Sequence, residues 1–314
     1  MVDTLPEISV VIPCYHEEEN AAAIAAAVIA VLEKADASFE LIFIDNGSRD
    51  RTVPIIHDLC AADPRVKLII NTRNFGQMRS PTHGIYQARG RAVIAMCADF
   101  QDPPAMLEQF IARWRAGAKI VLAIRETERS ALWTRIVRGV GYGFMARFAD
   151  YAVIPNATGF GIYDREVVDC LARWNEPEPF FRGMLVESGY PIETIAFQRP
   201  QRAAGTSKND FFRLLDFGLS GLSASSRKLL RLPFFLAVPA MGLAILSFLA
   251  AACLAIAGHP VSGLLWAAAF ELQFGLLFLF LGLAGDQIRL MAERSRNMPL
   301  VIERERVNFT PEQR

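Results

Sequence analysis

Residues 1–125 alternate short apolar runs with longer segments of helix-forming residues. The runs at 8–12, 41–44, 66–70, 92–96 and 119–123 are rich in Val, Ile, Leu and Ala and read as strands. Between them, 18–35 (Ala-rich), 52–62, 77–88 and 103–116 read as helices, with Pro54 and Pro103 in first turns, where proline is tolerated. Short apolar strands alternating with helices predict a parallel α/β sheet covered on both faces. Ligands on such sheets bind beyond the carboxyl ends of the strands, so the polar segments after the first four strands are the places to look. From 125 to 199 the pattern is less regular. It holds a helix at 132–148 and then 154–163, which is Gly-rich and could pass close to a ligand.

Beyond 199 the pattern changes. A polar loop at 199–210 leads into 211–230, an amphipathic helix with aromatics and leucines on one side, suited to a membrane surface. Two apolar runs follow, 232–257 and 263–284, each long enough to cross ~30 Å of hydrocarbon at ~1.5 Å per residue. Arg227, Lys228 and Arg231 precede the first run; Arg289, Arg294 and Arg296 follow the second; the connecting 258–262 has neither Lys nor Arg. The positive-inside rule then places both termini in the cytoplasm and makes the chain an integral protein of the cytoplasmic (inner) membrane. The expected organisation is a cytoplasmic domain at 1–210, a juxtamembrane helix at 211–231, a two-helix hairpin at 232–285 and a cytoplasmic tail at 286–314. Glu271 lies inside the second run and is open to a functional or a helix-interface role. Gly and Ala in the runs leave homo-oligomerisation open.

Charge and cysteine usage narrow the class. Lys plus Arg and Asp plus Glu balance at 33 each, so no overall basic field points to nucleic acid. The cysteines (Cys14, Cys60, Cys97, Cys170, Cys253) are scattered and form no CxxC pair, which argues against a disulfide framework or zinc site and suits a reducing cytosol. Residues 1–7 show no basic stretch leading into an apolar core, so no signal peptide is expected.

Five segments carry candidate chemistry. In Pro13-Cys14-Tyr15-His16-Glu17-Glu18-Glu19, Pro13 and Tyr15 could shape a base pocket with Glu17 touching the nucleoside; the acids equally suit a helix N-terminus. Asp45, where the second strand ends, could accept from a base imide N–H, and Asn46-Gly47-Ser48 is also explained by a turn. There is no G-x-G-x-x-G and no Walker lysine motif, so dinucleotide and P-loop readings fail. After the third strand, Arg73 could meet a phosphate and Gly76 permits close backbone approach. After the fourth, Asp99 and Gln101 lie two apart on an extended segment and can point the same way, an oxygen set suited to Mg²⁺ or Mn²⁺, with Asp102 capping the next helix. Finally Arg202, Ser207 and Lys208 lie on the loop before the amphipathic helix, where they suit a lipid phosphate. His16, His57 and His83 have no metal spacing. An acidic metal-type loop on one domain and a membrane anchor on the same chain imply group transfer from a soluble phosphate donor to a lipid acceptor.

VIPCYHEEEN, FIDNGSRDRT, RNFGQ, ADFQDPP and R-x-x-G-x-S-K, in this order and followed by two spans, resemble glycosyltransferase family 2. The nearest likeness is to its polyprenyl-phosphate glycosyltransferases, the dolichol-phosphate mannosyltransferase-like group of the bacterial two-span type, and GDQIRLMAERSRNMPLVIERE is similar to that group's tail. The resemblance implies a GT-A fold (Rossmann-like, nucleotide-diphospho-sugar transferase), a nucleotide-diphosphate sugar donor, a divalent metal, and inverting transfer to a polyprenyl phosphate (undecaprenyl or dolichyl phosphate) on the cytoplasmic leaflet. It implies that Pro13, Tyr15, Glu17 and Asp45 hold the nucleoside, Asp99 and Gln101 hold metal and diphosphate, and Arg125 lies near the donor. Arg202, Ser207 and Lys208 would meet the acceptor phosphate; Asp99, Arg125, Arg202 and Lys208 are the implied catalytic set. Two departures stand out: Cys97 replaces the first Asp of an Asp-Ala-Asp motif, and Gly159 stands where relatives carry Asp, with Asp164 nearby. An acceptor that is a phosphate monoester is largely ionised near pH ~7 and needs no base. A processive synthase would want a Gln-x-x-Arg-Trp motif, which Gln109 to Trp114 misses by one residue. Transfer to another lipid, or a degenerate member acting as a membrane scaffold, are the alternatives.

Overall fold

A computed structural model describes residues 5–126, 154, 156–198, 200, interspersed helical positions between 263 and 295, and 298–310. The strands are β1 (Ile8–Cys14), β2 (Phe39–Asp45), β3 (Val66–Asn71), β4 (Ala92–Ala95), β5 (Ile120–Arg125), β6 (Ala157–Asp164), β7 (Ile192–Phe197) and β8 (Glu303–Val307). The helices are α1 (Ala21–Lys34), α2 (Thr52–Ala62), α3 (Gly76–Gln87), α4 (Met106–Arg115), α5 (Arg165–Ala172) and α6 (Phe181–Glu187).

The strands form one sheet in the order β7-β5-β6-β4-β1-β2-β3-β8. β2 is buried along its whole length, as expected of a strand with helices over both faces. Alternate side chains divide into two cores. Ile8, Val10, Ile12, Leu41 and Phe43 meet α1, α2 and α4 on one face. Val11, Ile42, Ile44, Ile69 and Val93 meet α3, α5 and α6 on the other.

The sheet is mixed, which corrects the parallel expectation. β1 to β4 are mutually parallel, but β6 runs antiparallel between β4 and β5, and β8 pairs antiparallel with β3. The Gly-rich 154–163 segment is largely strand β6, and close packing against β5 requires one of its glycines. A Cβ on Gly161 would come within 2.3 Å of the Val121 carbonyl oxygen. β8 was not evident from its charged sequence; it gains hydrogen bonds from the β3 edge, and Asn308 Nδ2 donates to the Cys60 and Val66 carbonyls at 2.7 and 2.8 Å.

The chain runs from β1 outward through β2 to β3, then returns so that β4 lies on the other side of β1. The strand order reverses between β1 and β4, and a crevice opens at the carboxyl ends of strands at such a reversal. This topology positions the candidate site. Among the described residues no helix is long and apolar enough to cross a membrane. The run 232–257, most of 263–284, and the helices expected at 132–148 and 211–230 lie outside the described residues, as do Arg202, Ser207, Lys208 and Glu271.

Candidate active site

The loops after β1 and β2 are tied to each other. The Glu17 amide donates to Thr52 Oγ1 at 2.8 Å, the His16 amide to Ser48 Oγ at 2.9 Å and the Arg51 amide to Glu18 Oε2 at 2.8 Å. His16 takes a positive φ of 59°, which histidine tolerates better than most residues, and its ring lies 4.3 Å from that of Tyr15. Glu17 Oε2 accepts from Asn20 Nδ2 at 2.8 Å, so this carboxylate steadies the turn into α1. Pro13 and Tyr15 are half-buried at the β1 end.

Asp45 closes β2 and is fully buried. Its Oδ2 accepts from the Gly47 and Ser48 amides, both at 3.0 Å, which is the turn anticipated from Asn46-Gly47-Ser48. Its Oδ1 is buried and has no hydrogen-bond partner. Leaving a buried acceptor unmade costs about 1–3 kcal/mol, and more when it is charged. The turn accounts for one oxygen, and the other is left available to the ligand-accepting reading. Cys14, in register with Asp45, has its thiol pushed well up by burial and then by the charges of Glu17, Asp45 and Asp50. Asp50 is absent from the sequence-derived candidates. Burial acts to raise its pKa, but the Thr52 hydroxyl and amide and the Glu18 amide hold the carboxyl below its ordinary value.

A buried amide network fixes the next loop. Asn46 Oδ1 accepts from the Phe75 amide at 2.8 Å, Asn46 Nδ2 donates to Asn74 Oδ1 at 3.0 Å, and Asn71 Nδ2 donates to Ser80 Oγ at 2.9 Å. Gly47, at φ 80°, admits the close approach: a Cβ there would lie 2.8 Å from the Arg73 carbonyl carbon. Gly76, at φ 92°, faces open space at the start of α3. Arg73 is exposed and folds over its own loop, with its guanidinium 4.0 Å above the Phe75 ring. At ~4.8 Å per strand, three steps separate the β3 end from the β4 end, or roughly 14 Å.

The acidic loop after β4 departs from the extended expectation. It is a turn: Phe100 has φ 58°, and the Gln101 amide donates to Asp99 Oδ1 at 3.2 Å. Positive φ in a bulky residue marks local strain of the kind found at functional sites. Asp102 does not cap the next helix. α4 begins only at Met106, and Asp102 Oδ2 accepts from the Cys97 amide at 2.8 Å, closing the loop on itself. Asp99 and Asp102 are buried, Gln101 is half-buried and Cys97 is exposed. Among the described residues no group of three His, Cys, Asp or Glu can hold a metal ion. A hard divalent cation can be held by one or two protein oxygens with substrate phosphates completing its shell, and Asp99 with Gln101 fits that kind of site.

Topology thus gathers Tyr15, Glu17, Asp45 and the Asp99–Gln101 turn around the β1/β4 reversal. Arg125 ends β5, two strands from β4, and its amide donates to the Asn156 carbonyl at 3.2 Å.

The chain is 31% identical over 306 residues to the bactoprenol glucosyl transferase of Shigella phage SfV, covering 94% of this chain and 97% of that protein. It is 27% identical over 301 residues to the uncharacterized glycosyltransferase YkcC of Bacillus subtilis, covering 94% and 93%. The mannosyltransferase PcManGT from Pyrobaculum calidifontis, solved with GDP-Man and Mn²⁺, is similar at 16% identity and a TM-score of 0.44, over 94% of this chain and 88% of that one. The family described as Glycosyl transferase family 2 matches residues 9–172, which hold β1 to β6 and every loop at the reversal point, and the chain belongs to that family.

Proposed function

We propose that this glycosyltransferase moves a sugar from a nucleotide-diphosphate sugar to a polyprenyl phosphate at the cytoplasmic face of the inner membrane, with inversion at the anomeric carbon. The observation that carries the donor side is the buried, unpartnered Asp45 Oδ1 at the strand-order reversal, an acceptor suited to a base N–H. The acceptor side rests on near end-to-end likeness to a relative named for bactoprenol. The membrane reading is supported by the two apolar runs. At described positions in the second run and just beyond it, Phe270, Leu277, Leu281 and Ile288 are exposed at a spacing that keeps them on one helix face.

The residues divide the work by position. Asp45 receives the base, with Tyr15 and Pro13 beside it. Asp99 and Gln101 would hold Mg²⁺ or Mn²⁺, which when bound supplies charge to balance a diphosphate. Arg202, Ser207 and Lys208 would seat the lipid phosphate. One acceptor phosphate oxygen forms the bond to the anomeric carbon as the bond from that carbon to the donor diphosphate breaks, releasing nucleoside diphosphate. The attacking oxygen is already ionised, so no proton has to be removed, and Gly159 in place of an acid is compatible with the chemistry. The protein's main contribution is to hold two phosphate-bearing reactants in line and neutralise charge.

The test is transfer of radiolabelled sugar from a panel of nucleotide sugars to undecaprenyl phosphate in detergent, with Mg²⁺, Mn²⁺ or chelator. Lipid-extractable, metal-dependent product from one donor is expected. Product only on diacylglycerol or ceramide would replace the acceptor assignment. Nucleotide binding without turnover on any acceptor would favour a scaffold.

A further inference from the structure

Arg79, His83 and Gln87 are spaced by four along α3 and so form one stripe of that helix. None of them has a part in the site described above. Each is gripped by the segment that follows the second apolar run and ends in β8. Arg79 Nη2 donates to the Pro299 carbonyl at 3.0 Å, His83 Nε2 donates to Glu303 Oε1 at 2.5 Å, and Gln87 Oε1 accepts from Arg306 Nη2 at 2.8 Å. β3 is gripped as well. The Thr72 amide and hydroxyl both donate to the Ile302 carbonyl, at 2.9 and 3.1 Å, and Glu303 is in register with Asn71. Val301 and Phe309, towards the two ends of the segment, are buried.

The grip falls on the two elements that flank one loop of the candidate site. β3 ends at Asn71 and α3 begins at Gly76, so the 72–75 loop is strung between them. That loop is also the one tied to the Asp45 turn. The Phe75 amide donates to Asn46 Oδ1 at 2.8 Å, and Asn46 Nδ2 donates to Asn74 Oδ1 at 3.0 Å and to the Gly76 carbonyl at 3.1 Å. Arg79 joins both sides: the guanidinium that holds Pro299 also lies 5.9 Å from the centre of the Phe75 ring. Hydrogen bonds and main chain thus run without a break from 299–306, through β3, α3 and their loop, to the residue beside Asp45. A strand that only covered the β3 edge would shield it from pairing with another chain. The three contacts along α3 go beyond that duty.

We infer that the 299–306 segment is a positioning element of the donor site. Arg79, His83 and Glu303 are its positioning residues: they hold the 72–76 loop, and through Asn46 the Asp45 turn, in the arrangement that receives a nucleoside diphosphate. The physical reason is preorganisation. A loop fixed before binding has less conformational freedom to lose when the ligand arrives. The segment follows the second apolar run in the chain, so donor binding is linked to the part read as the membrane anchor. The inference rests on the proposed seating of the donor base on Asp45.

The experiment uses the full chain in detergent, with Arg79→Met, Glu303→Ala and Glu303→Gln beside wild type. One arm titrates UDP and GDP with Mn²⁺ by calorimetry, corrected for the folded fraction. The other follows hydrogen exchange in a peptide spanning 72–76 and, as a control, in one from α1. The expected loss of nucleotide affinity for Arg79→Met and Glu303→Ala is about three- to tenfold, the size of couplings carried through packed networks. Glu303→Gln, which keeps an acceptor for His83, should recover part of it. Exchange in 72–76 should rise about tenfold in the two disruptive variants while α1 keeps the wild-type rate, as expected of a local opening. Wild-type affinity in both disruptive variants would overturn the inference, whatever the exchange shows. So would an affinity loss with unchanged exchange in 72–76, or a rise in exchange shared equally by α1, which would mean a loosened fold. If Glu303→Ala does not fold, Arg79→Met decides on the same criteria. Wild type that binds neither nucleotide would refute the donor reading and this inference with it, whereas wild type that binds nucleotide beside indifferent variants would overturn the inference alone.

Discussion

Asp45→Asn separates the two duties of the Asp45 carboxylate. One oxygen accepts two backbone amides at 3.0 Å and the other is buried without a partner. Asparagine has the same shape. Its carbonyl oxygen can keep both amides, while its NH₂ replaces the unpartnered oxygen. Two charge-assisted bonds become neutral ones, a loss of about 1 kcal/mol, and removal of a buried unpartnered anionic oxygen offsets part of it. Stability should therefore change by less than about 1 kcal/mol. Donor binding should change much more. The base N–H loses a hydrogen bond to a charged acceptor, worth about 1.5–3 kcal/mol, and then faces a second donor, leaving both unpaired at a further ~1 kcal/mol or more. A total near 3–4 kcal/mol corresponds to roughly a 100- to 1,000-fold loss of affinity. Calorimetric titration of the full-length protein with nucleoside diphosphate, beside a melting curve, measures both quantities. Affinity within threefold of wild type in a normally folded variant would refute the argument that the unpartnered oxygen awaits the base. A large drop in melting temperature with unchanged affinity per folded molecule would reduce Asp45 to a turn-former.

Gly47→Ala would place a methyl 2.8 Å from the Arg73 carbonyl carbon at a φ of 80°, costing about 2–4 kcal/mol; chemical denaturation should show it, with nucleotide affinity falling as the two loops part. Glu40 is buried at the opposite edge of the sheet and binds Lys67 Nζ at 2.7 Å and Ser9 Oγ at 2.6 Å. Glu40→Gln should cost about 3 kcal/mol by leaving the lysine uncompensated, while nucleotide affinity per folded molecule stays at the wild-type value. Burial works to raise the Glu303 carboxyl, but His83 and Arg306 outweigh it and hold its pKa at about 2 against an ordinary 4.5. A depressed carboxylate contributes stability that is full above about pH 4.5 and is lost as pH falls toward 2; allowing for screening, about 1–2 kcal/mol is involved. Melting of wild type from pH 6 to pH 3 should show this loss, and Glu303→Gln should be less stable at pH 6 and lack that component.

Legibility followed the range of the interactions involved. α2 could be read to the residue, and β1 to β5 to within two residues at most boundaries, because buried parallel strands are continuous apolar runs and need only neighbouring residues to declare themselves. The acidic loop was legible as a polar segment after β4 but not in its geometry. The sequence Asp99-Phe100-Gln101 does not announce that Phe100 takes a left-handed conformation, or that Asp102 turns back to the Cys97 amide in place of capping α4.

The order of apolar strands and polar loops determined the α/β class, the strand ends on which to search, and the family. Those features are local, fixed by side-chain periodicity and by short motifs that survive in one dimension. The tertiary structure alone decided which loops become neighbours. Placing β4 on the far side of β1 sets the carboxyl ends of these two strands, and so the loops that carry Tyr15, Glu17 and Asp99, at one edge of the sheet, and inserting β6 antiparallel brings the Arg125 amide to the Asn156 carbonyl. It also decided that Glu303–Val307, a run of alternating charges, is a strand. The cause is the same in each case. Strand pairing and the partnering of buried polar atoms depend on groups distant in sequence, so a carboxylate oxygen such as Asp45 Oδ1 can be recognised as unpartnered only once everything around it is in place.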